Sequence, residues 1–392
     1  APEGIDVVDL GGASIMPGLV SVKSDLFIGT DSEGIGPVYV SADKFNPYAD
    51  FGRAFANGVT VARLHPPSRR FISGIGSVVR FGAEGNSEVL VDRLDLLLNF
   101  NDTAGRGEAP YAEIRTPTSL DVPFTPADRD GPQTRLGRLA ALERALAKAE
   151  AQEKAPFDRL TFDRRAAALT DHRRAQRPFL LDARRDTDIQ QALAAAKILG
   201  GTIGIYGLDE GHLMADRLAA SKLHCIVEVA NDLLDTSGSY DPVRPLRRDL
   251  SVAAELERRG LQVVLAGQTD DLLLAAALAV KGGMSESSAL RAITARAAGI
   301  RGGGDRAGRL APGRSADFIV LNDEPLATSS HVQQVWVAGR PDWKRSVHAS
   351  GGAKADKFEA MVVKAGLVYD GVGGVFENGE VLIENGKVVA CG

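Results

Sequence analysis

Met16-Pro-Gly-Leu-Val-Ser-Val-Lys-Ser-Asp25 is the stretch whose reading decides the fold. A Pro-Gly pair feeds a short apolar strand, which ends in Lys23 and Asp25 at alternate positions. Side chains two apart on a strand leave it on the same side, so these two charges point the same way. That spacing suits a pair of metal ligands. A protonated lysine, however, is no ligand for a zinc-type ion, and its charge repels one.

Outward from this stretch, buried-strand runs alternate with helical segments, as a parallel barrel requires. Strands are predicted over 177–182, 202–206, 223–229 and 261–266, and helices over 188–199, 214–221, 252–259 and 272–281. The segment 135–154, rich in Ala, Leu, Glu, Arg and Lys, reads as a long amphipathic helix with a solvated face. Ser285-Glu-Ser-Ser288 reads as a cap for the helix that follows, and Gly74-Ile-Gly76 as a tight backbone before a strand rather than a phosphate loop.

Composition bounds the rest. The 392 residues accommodate one barrel of roughly 250 residues plus a small accessory domain. A hydrophobic fraction of 44% with 25% charged residues is ordinary for a globular chain, and a net charge of −5 gives no reason to expect nucleic acid or anionic membrane. No apolar run approaches the roughly 18–20 residues of a membrane span. Cys225 and Cys391 imply no disulfide. The compartment is not legible.

The opening stretch resembles the Pro-Gly-Leu-Ile-Asp-x-His-x-His segment of the amidohydrolase superfamily. Other segments resemble its imidazolonepropionase-like branch: Ala54-Phe-Ala-Asn-Gly-Val-Thr-Val-Ala62 (a second barrel strand), Ile72-Ser-Gly-Ile-Gly-Ser-Val-Val-Arg80, and Gly131-Pro-Gln-Thr-Arg135. So do Ala277-Leu-Ala-Val-Lys-Gly-Gly-Met-Ser-Glu286 and Gly308-Arg-Leu-Ala-Pro-Gly-Arg-Ser-Ala-Asp-Phe-Ile-Val320. The resemblance implies a (β/α)8 TIM-type barrel over 16–310 and a small β-sandwich. The sandwich would draw on 1–15, 311–343 and 358–392, with 344–357 as a linker.

The ends are out of the family's order. Val362-Val-Lys-Ala-Gly-Leu-Val-Tyr-Asp370 and Asn378-Gly-Glu-Val-Leu-Ile-Glu-Asn-Gly-Lys-Val-Val-Ala-Cys-Gly392 resemble its first strands but stand last. Asn378-Gly379 and Asn385-Gly386 read as hairpin turns. Two readings follow: a circular permutant whose sandwich closes on itself, or one period of a tandem protein. The first is preferred, because without the tail the strands at 316–321 and 333–338 would expose edges. Gly392 and Ala1 would then lie close together.

The superfamily holds zinc or another divalent metal with histidines at strand ends. At those places this chain has Lys23 and Asp25, then Asp182 and Arg184, then Tyr206 or Gly207. The catalytic Asp of the last strand falls on Gln268, or on Asp270 after a two-residue slip. Of six histidines, His65 is the one expected to face the mouth, and no two are spaced as a ligand pair. No cofactor is therefore predicted. Lys23 and Arg184 would supply the positive charge a lost metal leaves uncompensated, pairing with Asp25, Asp182 or Asp270. These groups would either stabilise the barrel or bind a small anionic or zwitterionic ligand.

The function expected is that of a module without metal hydrolysis: a structural, regulatory or ligand-binding partner of an active module or subunit, in a homo- or hetero-oligomer. The alternative is a working hydrolase of C–N bonds in cyclic amides or dipeptides, with a remodelled or partner-completed site.

Overall fold

The computed structural model describes residues 6–24, 26–28, 36–66, 70–101, 135–201, 203–229, 234–235, 246–247, 249–267, 271–300, 306–345 and 360–392. Asp25, Gln268, Asp270, Ala1, residues 131–134 and most of the expected 344–357 linker lie outside the described residues. No helix among the described residues is long and apolar enough to cross a membrane.

Nine strands frame the larger domain: β1 (Leu19–Ser24), β2 (Val59–Leu64), β3 (Ile72–Ile75), β4 (Ser77–Arg80), β5 (Leu96–Asn99), β6 (Phe179–Ala183), β7 (Ile203–Gly207), β8 (His224–Val229) and β9 (Val263–Gly267). They form two sheets, one ordered β9-β8-β7-β6-β5-β3, the other β1-β2-β4 followed by Glu88–Val91. β5 to β9 run parallel to one another, as do β1 and β2. The segment between the two groups, β3 and β4 joined at Gly76, runs antiparallel to both β5 and β2.

This departs from eight parallel strands. The described residues hold no backbone ladder joining β9 to β1, and Ala54 to Ala56, read as part of the second strand, belong to the short helix Gly52–Ala56. An α/β domain consistent with a TIM type is what stands.

Side chains alternate along each strand, and one set meets inside. Val20, Val22, Val61, Val78, Leu97, Leu180, Tyr206, Ile226 and Val264 form one apolar cluster drawn from both sheets. The opposite faces pack under helices, with Leu19, Leu96, Leu98, Leu181 and Leu265 in a second cluster. Each such fully buried side chain contributes roughly 1.5–3 kcal/mol of burial energy. The helices start where short polar side chains satisfy free N–H groups. Asp163 caps Arg164–Arg174, Asp271 caps Leu272–Lys281, and Ser285 caps Glu286–Ile293 by accepting from the Ser288 N–H.

The small β domain has two sheets. In one, Asp6–Asp9 runs parallel to Ala360–Lys364, which pairs with Glu380–Glu384 and then Lys387–Cys391. In the other, Arg340–Lys344, Val332–Val337, Phe318–Leu321, Ser14–Pro17, Leu367–Tyr369 and Val375–Glu377 follow in order. Between the sheets lie Ile15, Phe318, Trp336, Met361, Val363 and Ile383. Asn385 and Gly386 have φ of 50° and 74°, the left-handed pair that a two-residue hairpin requires. Asn378-Gly379 is not a hairpin: the strands on either side of it belong to different sheets, so it is a corner between them.

Candidate functional site

The C-terminal ends of β1, β6, β7 and β8 bring a set of charges together. Lys23 Nζ lies 2.7 Å from Asp182 Oδ2 and 4.1 Å from the centre of the Tyr206 ring. Strict alternation after Val20 and Val22 would turn Lys23 away from the interior. The ladder between β1 and β2 advances from Ser21–Ala62 to Ser24–Leu64, so β1 carries one extra residue there. That bulge sends Lys23 inward.

Asp182, at the end of β6, is fully buried and also accepts from Asn101 Nδ2 at 2.9 Å. Burial alone would raise its carboxyl, but Lys23 and Arg184 hold it below the ordinary value. Arg184 makes a two-point fork with Glu228 of β8: Nη1 to Oε1 at 3.1 Å and Nη2 to Oε2 at 2.9 Å. It also reaches Asp209 Oδ2 at 3.3 Å and Asp182 Oδ1 at 4.0 Å. Burial opposes the guanidinium charge, yet Glu228 and Asp209 outweigh it and push Arg184 well up.

Tyr206 projects from β7 into the same place, and its hydroxyl donates to Glu228 Oε2. Burial and the Glu228 charge keep that phenol well above its usual value. Burial would raise Glu228, but Arg184 and Lys23 lower it below the ordinary glutamate value. The result is two cations serving three buried carboxylates, with one phenol as donor. Lys23 and Arg184 keep 16% and 20% of their side chains exposed.

The sequence-predicted positions divide as follows. Lys23, Asp182, Arg184 and Tyr206 come together. Gly207 sits beside them at φ 98°, where a Cβ would lie 3.1 Å from the Ala183 carbonyl oxygen, so this position cannot carry a side chain without strain. His65 does not face the mouth. Its ring lies 2.9 Å from Asp95, at the opposite end of β5 from the Asn99–Asp182 pair. Asp25, Gln268 and Asp270 lie outside the described residues. Glu228 and Asp209 were missed, although an acid inside the apolar run Cys225-Ile-Val-Glu-Val229 is a signal in itself.

Among the described residues, the carboxylates at these strand ends are already engaged and do not present a zinc-type donor set. Asp182 already has an ammonium against one oxygen and an amide against the other, and Glu228 is held on both oxygens by a guanidinium. Among the described residues no three His, Cys, Asp or Glu side chains are grouped to hold a metal ion.

No curated protein matches the sequence. The sequence pattern of the Amidohydrolase family matches residues 273–341. Among solved structures, an amidohydrolase from Thermotoga maritima MSB8 superposes with a TM-score of 0.70 at 24% identity, covering 88% of this chain and 91% of that one. A prolidase complexed with N-methylphosphonate-L-proline superposes with a TM-score of 0.50 at 15% identity, covering 86% and 89%. Residues 273–341 thus resemble the Amidohydrolase family, and the chain shares the fold of the Thermotoga amidohydrolase.

Proposed function

We propose that this chain is a non-catalytic module of amidohydrolase fold, in which an ion-pair network stands where relatives would place metal ligands. Its role is structural, regulatory or ligand-binding, beside an active module or subunit. The observation that carries this reading is the Lys23–Asp182 pair. An ammonium 2.7 Å from the buried carboxylate supplies the positive charge that a metal would otherwise supply. Arg184, forked on Glu228, does the same on the neighbouring strand end.

The test is elemental analysis of protein purified without chelator. The expected result is far less than one transition-metal ion per chain. About one tightly held zinc per chain, lost together with activity when Asp182 is replaced, would overturn the reading. A hydrolase of C–N bonds in cyclic amides or dipeptides is the second reading, favoured by the fold shared with the Thermotoga amidohydrolase. Turnover of such substrates by metal-free protein, abolished in Lys23→Met, would establish it.

A further inference from the structure

One loop of the larger domain holds apolar side chains out in water. It joins the helices Arg135–Lys154 and Arg164–Arg174, which pack against each other. Leu160 in this loop is 94% exposed. Phe157 and Phe162 on either side are 77% and 42% exposed, with ring centres 5.4 Å apart. Hydrogen bonds hold the loop in this shape. Asp158 Oδ1 accepts from the Leu160 N–H at 3.0 Å, and its Oδ2 from the Thr161 hydroxyl at 3.0 Å. Gln152 grips the backbone of Asp163 at two points, accepting from its N–H at 2.7 Å and donating to its carbonyl oxygen at 2.9 Å. An apolar knob is thus preorganised, and nothing among the described residues covers it.

Its complement lies beside it. A surface cavity of about 480 Å³ opens between the two helices and the loop, walled by Ala151, Phe157, Phe162 and Ala167. The exposed acids Asp158 and Asp171 also line it.

Charge separates the two parts. Lys148 pairs with Asp163 at 2.5 Å and Arg174 with Glu153 at 2.6 Å, so these four neutralise one another within the chain. Among the described residues Asp158 and Asp171 have no cation against them, and the exposed Arg159, next to the knob, has no acid. The knob is left positive and the cavity negative. A small apolar molecule would fill the cavity but leave Leu160 in water. A second copy, turned by a two-fold axis, answers both: each Leu160 enters the other's cavity, and each Arg159 meets the other's Asp171.

We propose that this face joins two copies of the chain in an isologous dimer anchored by Leu160. It shares no residue with the charges at the strand ends. Analytical ultracentrifugation of the intact protein should show a species of twice the chain mass that dissociates on dilution. Leu160→Asp should remove that species and leave the far-ultraviolet spectrum unchanged, because the side chain is in water within one copy. Arg159→Glu and Asp171→Arg should each weaken association about tenfold or more. An equimolar mixture of those two variants should recover it, since each carries the charge the other needs. A chain that stays monomeric, which would leave the face to a different protein or a small ligand, would overturn the proposal. So would a dimer that survives Leu160→Asp, or a mixture that associates no more tightly than its parts.

Discussion

Arg184 meets three carboxylates and is four-fifths buried, so its loss removes the fork on Glu228 and the contacts to Asp209 and Asp182 at once. Arg184→Leu is expected to destabilise by about 3–5 kcal/mol in urea unfolding, the usual cost of breaking a buried pair from one side. Arg184→Lys should recover only part of this, because an ammonium cannot make the two-point fork with Glu228. The depressed Asp182 carboxyl gives a second expectation. A carboxyl lower in the folded than in the unfolded state contributes stability above about pH 4 and loses it as pH falls further. The slope of stability against pH below 4 should therefore be shallower in Asp182→Asn than in the parent. At this scale Lys23, Asp182 and Arg184 were legible from their positions in the family's frame. Glu228 and Asp209 were not, because a partner chosen from a distant strand leaves no spacing in the sequence. His65 was misplaced because a residue just past a strand carries no mark of which end of its neighbour it meets.

Among the elements, the strand from Ile72 to Arg80 carries the most consequence, since its first half pairs with β5 and its second with β2. Gly76 is the bend. A Cβ there would lie 2.6 Å from both Asp95 Oδ1 and His65 Nε2. Gly76→Ala should cost about 1–3 kcal/mol, the range for forcing extra volume into a packed interior, and calorimetry would read it as a lowered melting temperature. The sequence marked the tightness of this turn but not the reversal of direction, which depends on two partners far along the chain. Likewise Asn378-Gly379 and Asn385-Gly386 look alike in sequence. Only the sheets they join separate a corner from a hairpin. A chain ending at Asp356 would leave Asp6–Asp9 without its neighbour and uncover Ile15 and Phe318. It is expected to aggregate or to lose cooperative melting, and an unchanged melt would show that the tail does not close this domain.

Across the whole molecule, the alternation of strands and helices was legible because buried parallel strands read as short apolar runs between Ala- and Leu-rich segments. Strand order within the sheets was not, since ladder partners are chosen by three-dimensional packing. One feature of that order bears on how the chain is made. Ser14–Pro17 sits between Phe318–Leu321 and Leu367–Tyr369, and Asp6–Asp9 rests on Ala360–Lys364. During synthesis these early strands wait for partners more than 300 residues later, at about 5–20 residues per second. For tens of seconds their edges stand open on the ribosome, where another chain can pair with them. The β domain thus cannot close its sheets until its distant segments have both emerged, and it is a place where crowded nascent chains would go astray.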